Sequence, residues 1–197
     1  KRILGSVAQS LEYLNEVIKH YLDLSRLEKG ELKVSRRIVA LKREIIDPAV
    51  EALVPALENK QMRISNLVPE ALWINSDPSL MRIVFDNLLS NAIKYGREGG
   101  AITLEHRTEG EQVVLSVINE GDGIAPDKLS FVFQKFSRID NPKHAVQKGT
   151  GLGLFICKEI VEQHGGTIRA ESEEGKWTRF SLVLPALAPI QQEGLAS

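Results

Sequence analysis

The chain has 197 residues, 43% of them hydrophobic and 26% charged, enough for one ordinary domain with an appendage. Its 25 basic and 26 acidic residues leave a net charge of -1, which excludes a general electrostatic pull toward nucleic acid or anionic lipid, so a phosphate ligand has to be held locally. A single cysteine, Cys157, excludes an internal disulfide framework and fits a reducing compartment, and no stretch approaches the roughly 20 apolar residues that span a bilayer. With Lys1-Arg2 leading into a charged helix rather than a signal peptide, the expectation is a soluble cytoplasmic polypeptide.

Residues 3 to 28 contain no proline or internal turn signal, and Leu4, Val7, Leu11, Leu14, Ile18 and Tyr21 recur at spacings of 3, 4, 3, 4 and 3. This pattern predicts a long helix with a coiled-coil or bundle seam, which Ile3, Val17, Leu22, Leu24 and Leu27 broaden toward more than one neighbour, and Gly30 is a suitable C-cap. A strand is predicted over 31–40 and a helix over 41–59, interrupted near Pro48 and Pro55. MRISNLVP and LWIN read as short strands. Ser76 or Asp77 caps the next helix, Pro78 occupies its first position, and it runs to about Tyr95. AITLEHRTEGEQVVLSVIN alternates as an antiparallel hairpin, residues 154–164 form another helix ended by Gly165-Gly166, and TIRAESEEGKWTRFSLVLP is a second hairpin. Hairpins separated by helices predict an α+β two-layer sandwich, with helices on one face of a mixed sheet, preceded by the long N-terminal helix. The tail from 186 is expected to be loose.

The chemistry starts with DNLLSNAIKY, residues 86–95. At 100° per residue Asn87, Asn91, Lys94 and Tyr95 share one stripe, beside an apolar arc of Val84, Phe85, Leu88, Leu89 and Ala92. A buried asparagine without partners costs about 1 to 3 kcal/mol, so two on one face call for backbone, water, or a ligand with a metal. Paired core asparagines bonded to loop carbonyls are the simpler reading if this helix stands alone. On the strand at 111–119, Val113, Leu115, Val117 and Asn119 share a face, so an amide ends an apolar row just where NEGDGI turns away with Gly121 and Gly123. GTGLGL, residues 149–154, opens directly into a helix, where successive N–H groups and the helix N-terminus can converge on an anion. GTGLGL lacks the last glycine of a dinucleotide fingerprint and follows a polar loop rather than a first strand. P-loop and Ser/Thr-kinase signatures are absent as well.

In order, NLLSNAIKY, NEGDGI, FQKF, GTGLGL and EEGKWTRFSLVLP resemble the N, G1, F and G2 boxes and the terminal strand of the catalytic and ATP-binding domain of sensor histidine kinases, which has the Bergerat fold. The resemblance covers residues 38–185, and YLDLSRLEKGEL looks like the end of the second helix of the dimerisation hairpin of these kinases. It implies a division into that helix (1–30), a linker (31–37), the catalytic domain (38–185) and a flexible tail (186–197). It also implies that ATP and Mg²⁺ are bound, with Asn91 ligating Mg²⁺, Asn87 beside it, and Lys94 and Tyr95 reaching phosphate and nucleotide. Asn119, Gly121, Gly123 and Ile124 would meet the base end, and Gly149, Thr150, Gly151, Leu152, Gly153 and Leu154 the phosphates. A lid between Gly123 and Gly149 would latch through Leu129, Val132, Phe133 and Phe136, its second half mobile, with Arg138, Lys143 and Lys148 able to approach the γ-phosphate.

Several positions depart from or refine the pattern. Related ATPases of this fold, the gyrase, heat-shock chaperone and mismatch-repair types, carry a water-activating glutamate where this chain has Asn87, so intrinsic ATP turnover is expected to be slow. The G1 box usually opens with aspartate; the Asn119 carboxamide can accept the same adenine proton without charge, so ATP is expected to bind more weakly. Trp177, where the family often has glycine, reads as a packing or edge-strand substitution. None of His20, His106, His144 and His164 stands in an H box. His20 reads as a surface or packing residue and His164 as a helix C-terminal residue whose charge is tolerated. The implied acceptor is a histidine outside this chain, on a dimerisation helix hairpin. The implied partners are a response-regulator receiver domain and a second copy through the N-terminal helix, in what could be the cytoplasmic part of a membrane-anchored sensor. A nucleotide-binding pseudokinase that switches partner binding without phosphotransfer is the alternative, separable by nucleotide titration and transfer assay.

Overall fold

The computed structural model describes residues 2–29, 33–139 and 149–187. In chain order the elements are α1 (Arg2–Glu28), β1 (Arg37–Ala40), a π-helical turn (Lys42–Ile46), α2 (Asp47–Asn59), β2 (Arg63–Asn66), β3 (Trp73–Ser76), α3 (Pro78–Tyr95), β4 (Ala101–Glu109), β5 (Gln112–Glu120), a 3-10 turn (Pro126–Phe131), α4 (Gly153–Gln163), β6 (Thr167–Glu173) and β7 (Trp177–Pro185). The main sheet has the order β2-β4-β5-β7-β6, with β2 parallel to β4 and every other pair antiparallel. β1 and β3 form a separate antiparallel ribbon. This is the mixed-sheet α+β architecture that the alternating hairpins predict.

One face of the sheet makes the core. Ile102 and Leu104 of β4, Val113, Leu115 and Val117 of β5, and Leu182 of β7 are buried in one cluster with Phe85, Leu88 and Leu89 of α3 and Ile156 and Ile160 of α4. Each such side chain taken fully out of water contributes roughly 1.5–3 kcal/mol before entropy is counted. The opposite face is more polar, with buried Val114 and Val183 beside it: Ser116 and Ser181 share a hydrogen bond of 3.0 Å, and Arg179 lies 3.4 Å from Glu105 and 3.9 Å from Glu171. Hence the helices lie on one side, and the site opens between them and the sheet ends. Trp177 takes part in both β-ladders, opposite Glu120 and Glu173, which agrees with its reading as a strand substitution.

α3 begins as its sequence predicts. Asp77 is the N-cap, its Oδ1 accepting from the N–H of Ser79 at 2.9 Å and of Leu80 at 3.1 Å, with Pro78 at the first position. The second oxygen of Asp77 accepts from Ser35 N–H at 2.9 Å and ties the preceding segment to the helix start. We expect Asp77→Ala to lower stability by about 1 kcal/mol in a denaturant titration, the ordinary loss of a cap.

Three expectations change. The strand predicted over 31–40 is confined to Arg37–Ala40 in the described part. The helix over 41–59 is not interrupted at Pro55, which lies inside α2 next to exposed Val54. The irregularity falls earlier, where Asp47 N–H bonds to Lys42 O and Pro48 follows; a wider turn spares the proline ring its clash with the carbonyl four residues back. The first half of the lid forms a 3-10 turn. There Val132 and Phe133 latch, the latter edge-on to Phe180 at 6.1 Å, whereas Phe136 is 66% exposed. The Gly30 cap, the second half of the lid over 140–148 and the tail over 188–197 lie outside the described residues. The N-terminal seam leaves Leu11, Leu14, Ile18, Tyr21 and Leu22 exposed, while Leu24 of the same helix joins the core.

Candidate nucleotide site

A cavity of about 500 Å³ lies between α3, the ends of β5 and β7, the loop after β5 and the glycine-rich segment before α4. Asn87, Asn91, Lys94 and Tyr95 all line it, so the helical spacing of 4, 3 and 1 does present one polar face to one space. At the other end Asn119 is buried, paired in the ladder with Thr178 and flanked by Gly123, Ile124 and Val132. Its amide nitrogen makes a long 3.5 Å contact to the Glu120 carbonyl. Gly149, Thr150, Gly151, Gly153 and Leu154 close the third wall, and Arg138 enters from the lid.

Close packing explains the glycines that matter most. A Cβ on Gly153 would stand 2.6 Å from Asn87 Oδ1, so only glycine lets the start of α4 approach the N-box amide. Gly151 has φ +70°, and a Cβ there would meet the Phe136 backbone at 2.7 Å. The other predicted site residues play supporting parts and do not line the cavity: Leu152 is buried just ahead of α4, Gly121 bridges to Gly96, Phe133 packs on the core and Phe136 points to solvent. Lys148, like Lys143, lies outside the described residues.

Electrostatics favours an anion here despite the balanced overall charge. Four cations, Lys19, Arg82, Lys94 and Arg138, line the cavity against two carboxylates, Asp86 and Asp122. Asp86 is already engaged by Arg82 at 2.7 Å, with Lys19 at 3.9 Å. Lys60 braces this end of α3 by donating to the carbonyls of Ile93 at 2.6 Å and Lys94 at 2.8 Å, and partial burial lowers its pKa, with Glu98 and Asp122 pulling the other way. The C-terminal carbonyls beneath Lys94 and Tyr95 are thereby satisfied and held.

Among the described residues no three His, Cys, Asp or Glu side chains gather into a metal-binding group. A metal here would rest on neutral oxygens, the carboxamides of Asn87 and Asn91 and the Ser90 hydroxyl that line the cavity. That donor set fits Mg²⁺, which takes one or two protein oxygens and otherwise keeps phosphates and water.

Sequence reasoning missed the contribution of α1. Asn15, Lys19 and His20 line the same cavity. His20, expected at the surface or in simple packing, is 6% exposed and hydrogen-bonded to Asn87 and Thr150. His164 also departs from expectation. It is buried, Nδ1 donating to Ile160 O at 2.7 Å and Nε2 accepting from Asp77 N–H at 3.0 Å, and burial holds its pKa below the ordinary value; it is a neutral connector rather than a tolerated charge.

The comparisons with known proteins agree with this geometry. The chain is 36% identical to the sensor protein GacS of Pseudomonas syringae pv. syringae over 98% of its own length and 22% of that protein's. It is 33% identical to the sensor histidine kinase WalK of Bacillus subtilis over 93% of its length and 30% of the relative's. The chain thus spans under a third of these two relatives. Among solved structures, the catalytic domain of histidine kinase ThkA superposes with a TM-score of 0.66 at 26% identity, covering 77% of this chain and 96% of that one. The fold is also that of Acinetobacter baumannii histidine kinase AdeS, with a TM-score of 0.73 at 18% identity over 95% of this chain and 86% of that one. Residues 76–188, from the cap of α3 to just past β7, match the family described as histidine kinase-, DNA gyrase B-, and HSP90-like ATPase. With its amide stripe, buried G1-box asparagine and glycine-rich wall around one cavity, the chain belongs to that ATP-binding family, in the form found in sensor histidine kinases.

Proposed function

We propose that this chain is the ATP-binding catalytic part of a sensor histidine kinase, which transfers the γ-phosphoryl group of Mg-ATP to a histidine of a dimerisation helix hairpin outside these residues. The reading rests chiefly on the N-box stripe of α3 facing the glycines of residues 149–153 across one cavity with an excess of cations. In the reaction an imidazole nitrogen attacks the γ-phosphorus, the bond to the β,γ-bridging oxygen breaks, and ADP leaves. Catalysis by this chain is positioning and charge neutralisation. Lys94, Arg138 and the N–H groups at the start of α4 hold the phosphates, and Asn119 with Thr178 orients the base. Asn91, with Asn87 close by, would hold Mg²⁺; what the metal supplies when bound is neutralisation of phosphate charge. The phosphohistidine then serves a response-regulator aspartate, and a second copy pairs through α1, whose apolar seam is exposed. Residues 1–30 act as the hairpin's second helix, 38–185 as the catalytic domain. Cytoplasmic ATP and a lone cysteine support placement on the cytoplasmic side; among the described residues no helix is long and apolar enough to cross a membrane.

Incubating the chain with γ-labelled ATP and a separate H-box helix tests the proposal: labelled phosphohistidine is expected, and its absence at millimolar Mg-ATP would sink it. Without the acceptor, ATP turnover is expected to be slow. An amide at position 87 has no basic lone pair for a water proton, and its nitrogen already donates to Ile83 O at 2.9 Å. Brisk phosphate release by the chain alone would contradict this assignment of Asn87.

A further inference from the structure

The hydrogen bonds around His20 form one chain that is oriented from its Asn87 end. Asn87 Nδ2 donates to Ile83 O at 2.9 Å, so the amide turns its oxygen toward His20 Nε2, also 2.9 Å away. Thr150 Oγ1 accepts from Leu152 N–H at 3.2 Å and, with the ring neutral, gives its hydroxyl proton to His20 Nδ1 at 2.7 Å. The imidazole thus carries its hydrogen on Nε2, and both Asn87 and Thr150 are spent on α1. Each lines the cavity at its phosphate end, with Gly149, Gly153 and Lys94.

The helix that delivers His20 is docked but poorly satisfied. Leu24 anchors it in the core and Glu28 pairs with Lys135 at 2.8 Å. Asp23, however, is buried with Oδ2 lacking a hydrogen-bond partner among the described residues. Burial raises the Asp23 pKa against the pull of the Lys19 and Arg26 charges. A buried carboxylate oxygen left unmatched weakens docking, so the contact is poised to release.

We propose that His20 is a positioning residue through which α1 and the phosphate end of a nucleotide compete for Asn87 and Thr150. The inference rests on the ATP reading of the site and adds a coupling to it: nucleotide binding frees the two side chains from His20, and movement of α1 sets whether they are available. Linkage makes the coupling reciprocal, so a bound nucleotide loosens the docked helix.

Calorimetric titration with a nonhydrolysable ATP analogue and Mg²⁺ tests the coupling. His20→Ala is expected to bind about 5-fold more tightly than the parent chain, the worth of one or two ordinary hydrogen bonds released, whereas His20→Gln, which can still donate to Asn87 Oδ1, keeps the parent affinity. Unchanged or weaker binding by His20→Ala overturns the coupling while leaving the ATP site standing. No binding by either chain at millimolar analogue overturns both. A second readout needs no variant: the ¹⁵N and ¹H signals of the His20 ring are expected to report Nε2–H in the resting chain and to shift when the analogue saturates it. Ring signals unmoved at saturation overturn the proposal.

Discussion

Asn91→Ala is expected to abolish the Mg²⁺ dependence of nucleotide binding and to cut phosphotransfer to an H-box histidine by on the order of 10²- to 10³-fold, the range seen when one preorganised polar partner of a transition state is removed. The size follows from scarcity. Among the described residues no carboxylate cluster stands in reserve. Asp86, five residues earlier, is held by Arg82 at 2.7 Å and cannot swing to a metal without breaking that ion pair. Position 91 is half-buried at the cavity wall and outside the core cluster, so unfolding free energy should move by no more than about 0.5 kcal/mol. Affinity for the nucleotide in EDTA should be the same in both chains. If Mg²⁺ strengthens binding equally in the parent and the variant, Asn91 is not the metal ligand.

His164→Ala is the second large effect, this time on stability. The imidazole joins the C-terminus of α4 to the N-terminus of α3, and its loss leaves the Asp77 N–H and the Ile160 carbonyl of a buried region without that partner. Together with the cavity, a loss of roughly 2–4 kcal/mol is expected in urea titrations, a large share of the ~5–15 kcal/mol that holds an ordinary domain together. The same residue makes stability depend on pH. Its neutral form is the folded one, since a proton on Nε2 would face the Asp77 N–H; burial first, then the Arg36 charge, hold the folded pKa below the ordinary 6.5. Between the two values the unfolded chain binds more protons, so stability rises with pH there. The contribution is whole above about pH 6.5 and is lost as the pH falls through the folded pKa, with a slope of at most about 1.4 kcal/mol per pH unit. His164→Gln, which does not titrate, should flatten this part of the stability profile. A parent profile as flat as the variant's between pH 7.5 and 5 would show that His164 keeps its ordinary pKa.

These two residues were not equally visible in the sequence. Asn91 was legible because everything that aims it is local: Asp77 and Pro78 start α3, its period repeats 87, 91 and 94–95 on one side, and an apolar arc fixes which side meets the core. The glycines before α4 were legible for a similar reason, since backbone that must approach a neighbour closely excludes a Cβ. The role of His164 was half legible: its place at a helix end was read, its burial was not. Phe136 looked like a latch by its apolar character, yet its neighbour Phe133 took the contact with Phe180.

By itself, then, the amino-acid order determined most of the elements, the two hairpins, the polar stripe and the glycine-rich turn into α4, because periodicity, capping and turn chemistry act between residues a few positions apart. Tertiary structure alone decided that α2 continues unbroken through Pro55 and that β2 runs parallel to β4. It also decided that His20 reaches across 67 residues to Asn87 and 130 to Thr150. Such contacts depend on how whole helices pack over the sheet, and no local spacing of residues encodes that packing.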